Sequence, residues 1–381
     1  MNLPVNSIWS RLAGAALVVA IFLALGMARP AEAQIGGSAV VFLQIEPDSR
    51  AAGMGNTGVA LADNAYASFW NPAGLAFQQG LEASLTHSTW LPEFNAGLYY
   101  EYLVGKYHLP GWGTFGGHVT FLNLGEHERT DASGNRLGTF RSYDLAVGGS
   151  YATQLTDEIA LGGGLRMIYS NLAQGEVGTQ KINPGISAAF DLGALYRSAP
   201  FALGNVETTV SAGLNLANMG PQIQYSDTEQ ADPIPTNIRL GYALTFDLDE
   251  YNRITLANDF NKMLIRRDSV EADPFYKAIF SSWQPIQVNQ GTVSEPNLQT
   301  LSVFDQFTIG AGLEYWYNQL FALRSGYFYE NPYNGNREFL TFGAGLRYNI
   351  VGVDFSYIYA MEENSPLANT MRFSLLLNFA Q

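Results

Sequence analysis

The sequence predicts an all-β protein, a 14-stranded antiparallel transmembrane β-barrel with an N-terminal hatch or plug segment. Three observations lead there: period-2 alternation repeated through most of the chain, a regular exchange of tight and long connections, and a composition poor in charge but rich in aromatic residues. Of 381 residues, 14% are charged and 13% aromatic, with 39 Gly, 21 Tyr and no Cys. A soluble domain carries about 25% charged residues, so nearly half the usual charge is missing. Mean hydropathy is −0.02, and past the first thirty residues no run of about 18 apolar residues offers a membrane helix. The apolar content excludes a disordered chain. With 20 Lys+Arg against 34 Asp+Glu, a net charge of −14, no clustered basic footprint for nucleic acid exists. The absence of cysteine removes disulfides and thiolate metal sites together.

Three units are expected in chain order. Residues 1–33 read as a cleaved signal peptide: Arg11 precedes the apolar stretch Leu12 to Met27, Arg29-Pro30 breaks it, and Ala31-Glu32-Ala33 offers small residues to a signal peptidase. Export through an oxidising periplasm without disulfides is consistent with the missing cysteine. Residues 34–80 read as a hatch inside the barrel, because they are rich in small residues and do not alternate. Residues 81–381 form the barrel with its long extracellular loops.

Within that last unit the strands justify themselves by alternation. Ile159, Leu161, Leu165, Met167 and Tyr169 share one face, while Ala160, Gly162, Gly164, Arg166 and Ser170 share the other. The same pattern places Phe307, Ile309, Ala311, Leu313, Tyr315 and Tyr317 opposite Thr308, Gly310, Gly312 and Glu314. Candidate strands fall at 82–90, 95–106, 113–124, 142–153, 158–171, 184–196, 206–217, 238–247, 252–262, 307–317, 320–329, 338–349, 351–359 and 370–379. Connections after even-numbered strands are mostly tight, as at Asn318-Gln319 and Ile350, whereas Gly125 to Arg141, Asn218 to Asn237 and Met263 to Gln306 are long. Bacterial barrels show that asymmetry, with short periplasmic turns and longer extracellular loops. Tyr and Trp near strand ends, as in Tyr315-Trp316-Tyr317, suit interfacial girdles. A soluble propeller or sandwich would instead spread charge over its outer face.

Motifs for chemistry are weak. Gly53-Met54-Gly55-Asn56-Thr57-Gly58 matches G-x-G-x-x-G, but Asp63 is too near and no βαβ unit follows. The glycines are read instead as a permitted backbone path through a crowded lumen. His87, His108, His118 and His127 lack metal-ligand spacing and are expected at the aqueous ends of strands. No G-x-S-x-G elbow occurs, and Asp247-Leu248-Asp249-Glu250 lacks the Gly and distal Glu of a calcium loop, reading as a solvated turn. No catalytic, cofactor or metal residue is therefore assigned, and no enzymatic activity is expected. For the hatch, Arg50, Trp70, Asn71 and Pro72 are singled out, Pro72 to fix a turn and Asn71 to satisfy backbone groups. For partner-binding loops the candidates are Tyr225, Asp227, Arg266, Arg267, Tyr276 and Trp283, since aromatic and Arg clusters on loops dominate recognition. The bland alternative for the longest of these is a loop folded over its own barrel mouth.

With these residues in view, the chain resembles the PorV family of type IX secretion, within the wider FadL-like barrels. The resemblance runs from Phe42-Leu43-Gln44-Ile45-Glu46-Pro47-Asp48-Ser49-Arg50 and Phe69-Trp70-Asn71-Pro72-Ala73 to Thr89-Trp90-Leu91-Pro92 and Arg166-Met167-Ile168-Tyr169-Ser170-Asn171-Leu172. It continues through Pro235-Thr236-Asn237-Ile238-Arg239-Leu240-Gly241, Glu314-Tyr315-Trp316-Tyr317-Asn318 and Gly326-Tyr327-Phe328-Tyr329-Glu330-Asn331 to Pro366-Leu367-Ala368-Asn369-Thr370. The N-P-A element alone is shared with fatty-acid channels; the middle and C-terminal stretches together are specific. The resemblance implies a fourteen-stranded outer-membrane barrel with a hatch. It also implies an adaptor role, binding the C-terminal β-domain of cargo leaving a SprA-type translocon and delivering it to a PorU-type sortase. A second reading, a passive FadL-like channel for hydrophobic compounds, needs an apolar pocket of several hundred Å³ beside the hatch, which Met54, Phe69 and Trp70 could line. The lipid of the outer membrane is the remaining expected partner.

Overall fold

Alternating sequences with one apolar and one small or polar face become strands when each face meets a matching medium. The computed structural model describes residues 37–130, 135–173, 175–177, 180–226, 231–267, 271–289, 297–362 and 365–379. The signal-peptide reading of residues 1–33 and the candidate Asp227 lie outside the described residues. Fourteen long strands follow in order: β1 (Leu81–Thr89), β2 (Tyr99–Leu109), β3 (Gly113–Thr130), β4 (Arg136–Gln154), β5 (Ile159–Asn171), β6 (Gly185–Arg197) and β7 (Val206–Met219). Then come β8 (Asn237–Asp247), β9 (Asn252–Met263), β10 (Phe307–Tyr317), β11 (Phe321–Glu330), β12 (Glu338–Tyr348), β13 (Val351–Ala360) and β14 (Met371–Asn378). Each pairs antiparallel with its neighbour in sequence, and β14 returns to β1 with Leu375 opposite Leu85, so the sheet closes into a 14-stranded barrel. Closure leaves no unpaired edge within lipid.

The two faces separate sharply. On β5, Leu165 and Met167 are each 70% exposed on the outer wall while Arg166, Ile168 and Ser170 are buried inside. On β14, Met371, Phe373 and Leu375 face out and Arg372, Ser374 and Leu376 face in. The interior is filled by residues 37–80, which hydrogen-bond to strands all around the ring: Ser49 to Ser374 on β14, Gly55 to Thr341 on β12, Gly58 to Asp259 on β9, and Asn71 to Ala194 on β6. Gly55 has φ +67, and a Cβ there would lie 2.5 Å from the Tyr327 carbonyl oxygen. Only glycine tolerates both the left-handed backbone and the approach.

Three sequence expectations need correction. Strands β3 and β4 run on to Thr130 and back from Arg136, so much of the stretch Gly125 to Arg141 is a paired ribbon, not a loop. Its charged residues pair across the strands in water, Glu128 with Arg136 at 2.7 Å, where hydropathy carries no strand signal. The second strand begins at Tyr99 instead of 95, because Pro92–Phe94 form a helical turn and Asn95 adopts a left-handed conformation. His118 is not at an aqueous strand end; it is buried mid-strand and stacks on Tyr102 at 5.6 Å.

The fit of hatch to wall is closest at Gly326 on β11, where a Cβ would stand 2.0 Å from the Gly55 amide nitrogen and 2.2 Å from the Met54 carbonyl carbon. Backbone cannot yield as a flexible side chain does, so Gly326→Val should unseat the hatch and destabilise the barrel by at least the ~1–3 kcal/mol of ordinary overpacking. A lowered midpoint of heat-modifiable gel migration and faster protease cleavage within residues 37–80 are the expected outcome. Gly117→Ala is the control, since its added Cβ meets nothing nearer than 3.9 Å.

Candidate functional site

Every polar group that enters a closed barrel must find its partner there, and the hatch is organised by that requirement. Connections 110–112, 155–158, 198–205, 248–251, 318–320 and 349–350 gather at one rim, the short-turn rim. The hatch starts at the opposite, long-loop rim. There a helical turn, Val41–Gln44, buries Phe42 and Leu43 with Ile45 against Tyr100, Leu122, Ile223 and Ile234, and the Ala39 amide donates to the Pro233 carbonyl at 3.0 Å. The long-loop mouth is thus sealed by apolar packing.

Below that seal the chain turns at Asp48, whose carboxylate accepts the Arg50 amide at 2.8 Å and caps the turn Ser49–Ala52. The turn aims Arg50 into the wall, where Nε and Nη2 donate to the two carboxylate oxygens of Glu314 at 2.8 and 2.7 Å, a bidentate pair. Glu314 also accepts from Arg324 Nε at 2.7 Å; Arg324 Nη1 donates to Asp354 at 2.7 Å, and Arg347 Nη2 to the same carboxylate at 2.5 Å. Arg50 reaches back to Asp63 at 2.5 Å. Trp316 lies 5.4 Å from both the Arg324 and Arg347 guanidinium carbons. The result is a chain of alternating charges joining hatch to β10, β11, β12 and β13.

Backbone groups of the hatch are held by β6 to β9. Asp259 accepts the amides of Gly58 and Val59 at 2.7 and 2.9 Å. Asn71 donates to the carbonyls of Val59 and Ala194 at 3.2 and 3.0 Å and accepts the Ala73 amide at 3.2 Å, while Pro72 opens the helical turn Pro72–Phe77. The Trp70 carbonyl accepts from Asn215 at 2.9 Å, and Arg239 donates to the Phe69 carbonyl with its guanidinium 4.5 Å from the Phe69 ring and 5.4 Å from that of Trp70. The closure seam is bridged from inside by a run of hydroxyls: Tyr66 to Thr86 at 2.6 Å, Thr86 to Ser374 at 2.7 Å and Ser374 to Ser49 at 2.7 Å. Two points of the hatch therefore clasp β1 to β14.

Space inside is correspondingly small. Met54, Phe69 and Trp70 are at most 5% exposed and serve as packing; the spaces bordering Trp70 hold about 30 and 10 Å³. A larger cavity of about 420 Å³ opens at the short-turn rim, lined by Arg50, Asp63, Glu82, Arg253, Glu314 and Arg347 among others. That lining suits water and ions and does not suit a hydrocarbon.

The loop candidates divide. Arg266 donates to the Ser281 carbonyl at 3.2 Å within the long loop, and Arg267 pairs with Asp232 at 2.6 Å and ties that loop to the connection between β7 and β8. The Tyr225 hydroxyl donates to Ser170 at 2.9 Å and its ring packs on the mouth seal. Trp283 covers Lys262 at 5.7 Å and contacts Phe307 at 6.2 Å. Tyr276, 65% exposed on the helix Phe275–Ser281, points away from the protein. Within the same loop, burial opposes ionisation of the Asp273 carboxyl. Hydrogen bonds from Lys277 and Ser281, with the Lys277 charge, outweigh that and hold it below the usual carboxylate range.

Sequence reading missed Glu314, Arg324, Asp354, Asp259 and Arg239. Each is a charge on the inward row of an alternating strand, and a charge on a lumen row was the available signal.

Removing Arg324 leaves two buried carboxylates with fewer partners, so Arg324→Met should lower stability by about 3–5 kcal/mol, read as a shifted urea midpoint in micelles. Asp273 contributes stability that is full above the ordinary carboxylate pKa of about 3.9 and is lost as pH falls through its depressed value. Amide exchange in Phe275–Ser281 should therefore accelerate only at strongly acidic pH, and Asp273→Asn should remove that pH step.

Comparison with known proteins accords with this geometry. The structure is similar to the toluene transporter TbuX of Ralstonia pickettii, with a TM-score of 0.50 and 14% identity over 88% of this chain and 99% of that one. It is similar also to the toluene transporter TodX of Pseudomonas putida, with a TM-score of 0.50 and 12% identity over 88% and 100%. At such identity the likeness is one of fold. No curated protein matches the chain. The family model described as Type IX secretion system protein PorV matches residues 29–269, and the chain, an outer-membrane β-barrel, belongs to that family.

Proposed function

We propose that this protein is a non-enzymatic adaptor of type IX secretion. It binds the C-terminal β-domain of cargo leaving a SprA-type translocon and hands that cargo to a PorU-type sortase, after residues 1–33 have been removed on export. The observation that carries this reading is the occupied lumen. A hatch joined to the wall by Arg50, Asn71 and the Asp259 carboxylate leaves no apolar passage between the rims among the described residues. A barrel without a passage acts through its surface.

The long-loop rim supplies that surface. The β3–β4 ribbon continues beyond the last pairing of β2 with β3 at Asn123 and of β4 with β5 at Tyr143. At about 3.4 Å per residue its free part, Gly125–Thr130 with Arg136–Arg141, extends roughly 20 Å. Beside it stand the folded connections that carry Tyr225 and Arg267. A stable contact needs about 800 Å² per partner, which a ribbon and two folded connections together can offer.

A pull-down of the tagged protein in mild detergent from its native outer membrane, read by mass spectrometry, tests the reading. Near-equal recovery of a very large barrel, a sortase-like protease or several secreted proteins sharing a C-terminal β-domain is expected. Recovery of the barrel alone, or with only fatty acid or hydrocarbon, contradicts it. Replacing residues 127–140 by a two-residue hairpin turn should leave heat-modifiable migration unchanged and reduce cargo recovery several-fold.

A further inference from the structure

The longest connection, between β9 and β10, does not simply close over the mouth. Lys262 lies on the outer row of β9, paired in register with Ile238 of β8 and Phe307 of β10, whereas Asp259 and Asn261 face the lumen. An outward lysine on a lipid-facing wall should be exposed, yet Lys262 is 2% exposed. It is covered by Trp283 and donates to Gln306 at 2.7 Å, both from this connection. Further round, Phe275 of the loop helix packs edge-on against Phe190 at 5.8 Å, and Phe190 belongs to the outer row of β6 with Ile186 and Leu192, below the strand's long-loop end. The connection thus lies against the outside of the barrel from β6 to β10.

Its helix turns Tyr276 and Phe280, one turn apart, away from the wall at 65% and 75% exposure. Lys277 between them is engaged with Asp273 at 2.5 Å. We propose that this helix is a lipid-seated element, with Tyr276 and Phe280 inserted into the outer leaflet at the level of its headgroups and upper chains. The occupant is lipid because the face is continuous with the barrel's own lipid-facing row through the Phe275–Phe190 contact. An aromatic pair beside a lysine whose stem is apolar and whose ammonium is met by the Asp273 carboxylate suits the interface. The collar would fix the barrel's depth and rotation in the bilayer on the side of β6 to β10.

The chain has no cysteine, so single nitroxide labels can be placed without background. Labels at Phe280→Cys, Leu192→Cys on the outer row and Tyr333→Cys on the long-loop rim are compared in lipid vesicles by collision with oxygen and with a water-soluble nickel chelate. Heat-modifiable migration confirms folding of each, and Tyr276→Cys repeats the reading if Phe280→Cys does not fold. The expected oxygen-to-nickel ratio at position 280 resembles that at 192 and is several-fold above that at 333. A ratio equal to that at 333 overturns the proposal by placing the face in water. Shielding from both reagents in vesicles overturns it by placing the face against the protein's own surface. Shielding from both in native membranes alone assigns the face to a protein partner and likewise overturns it.

Discussion

Arg324 is fully enclosed inside a barrel, and a guanidinium there can stay charged only if carboxylates come to it. Two do, Glu314 and Asp354, and each is shared: Glu314 with Arg50 of the hatch, Asp354 with Arg347. Transfer of each ion from water costs several kcal/mol, and the loss is recovered only when pairing is complete. The network is complete only when Arg50 is in place. Seating the hatch and closing β10 to β13 are therefore one event, and the hydroxyl run across the β1–β14 seam repeats the arrangement at the barrel's closure. A hatch so held is part of the wall's stability.

That coupling frames what the fold allows. TbuX and TodX share the architecture at low identity, and architecture alone does not carry activity. In this chain Phe69 and Trp70 lie against the Arg239 guanidinium, and the cavity of useful size is lined by charges at the short-turn rim. The apolar material that a hydrocarbon site would need is spent on sealing the long-loop mouth with Phe42, Leu43 and Ile45. Family membership points the same way, toward secretion.

The barrel was legible because lipid on one side and a polar lumen on the other enforce a strict period of two, visible in runs such as Ile159 to Tyr169. The alternation ends where the two media end. Beyond Asn123 both faces of the β3–β4 ribbon meet water, so Glu126 to Thr130 reads as loop although it pairs residue by residue. Helix Phe275–Ser281 was hidden for a related reason, since seven residues leaning on a barrel wall give no amphipathic period. In the site, Arg50, Asn71 and Pro72 stood out through their setting in a non-alternating segment. Arg324 and Asp354 did not, because a charge on a lumen row looks the same whether it meets water or a partner distant in sequence. His118 misled in the same way: its row is inward, and the inward medium at that height is Tyr102 and not water.

The central claim is that the lumen is closed by the hatch and held so by the Arg324 network. Ion conductance of the purified protein in planar bilayers, measured beside Arg324→Met, tests it most directly. The account predicts no steady conductance for the unaltered protein and discrete open events once Arg324 is replaced. A stable open conductance in the unaltered protein, or silence in both, would contradict it.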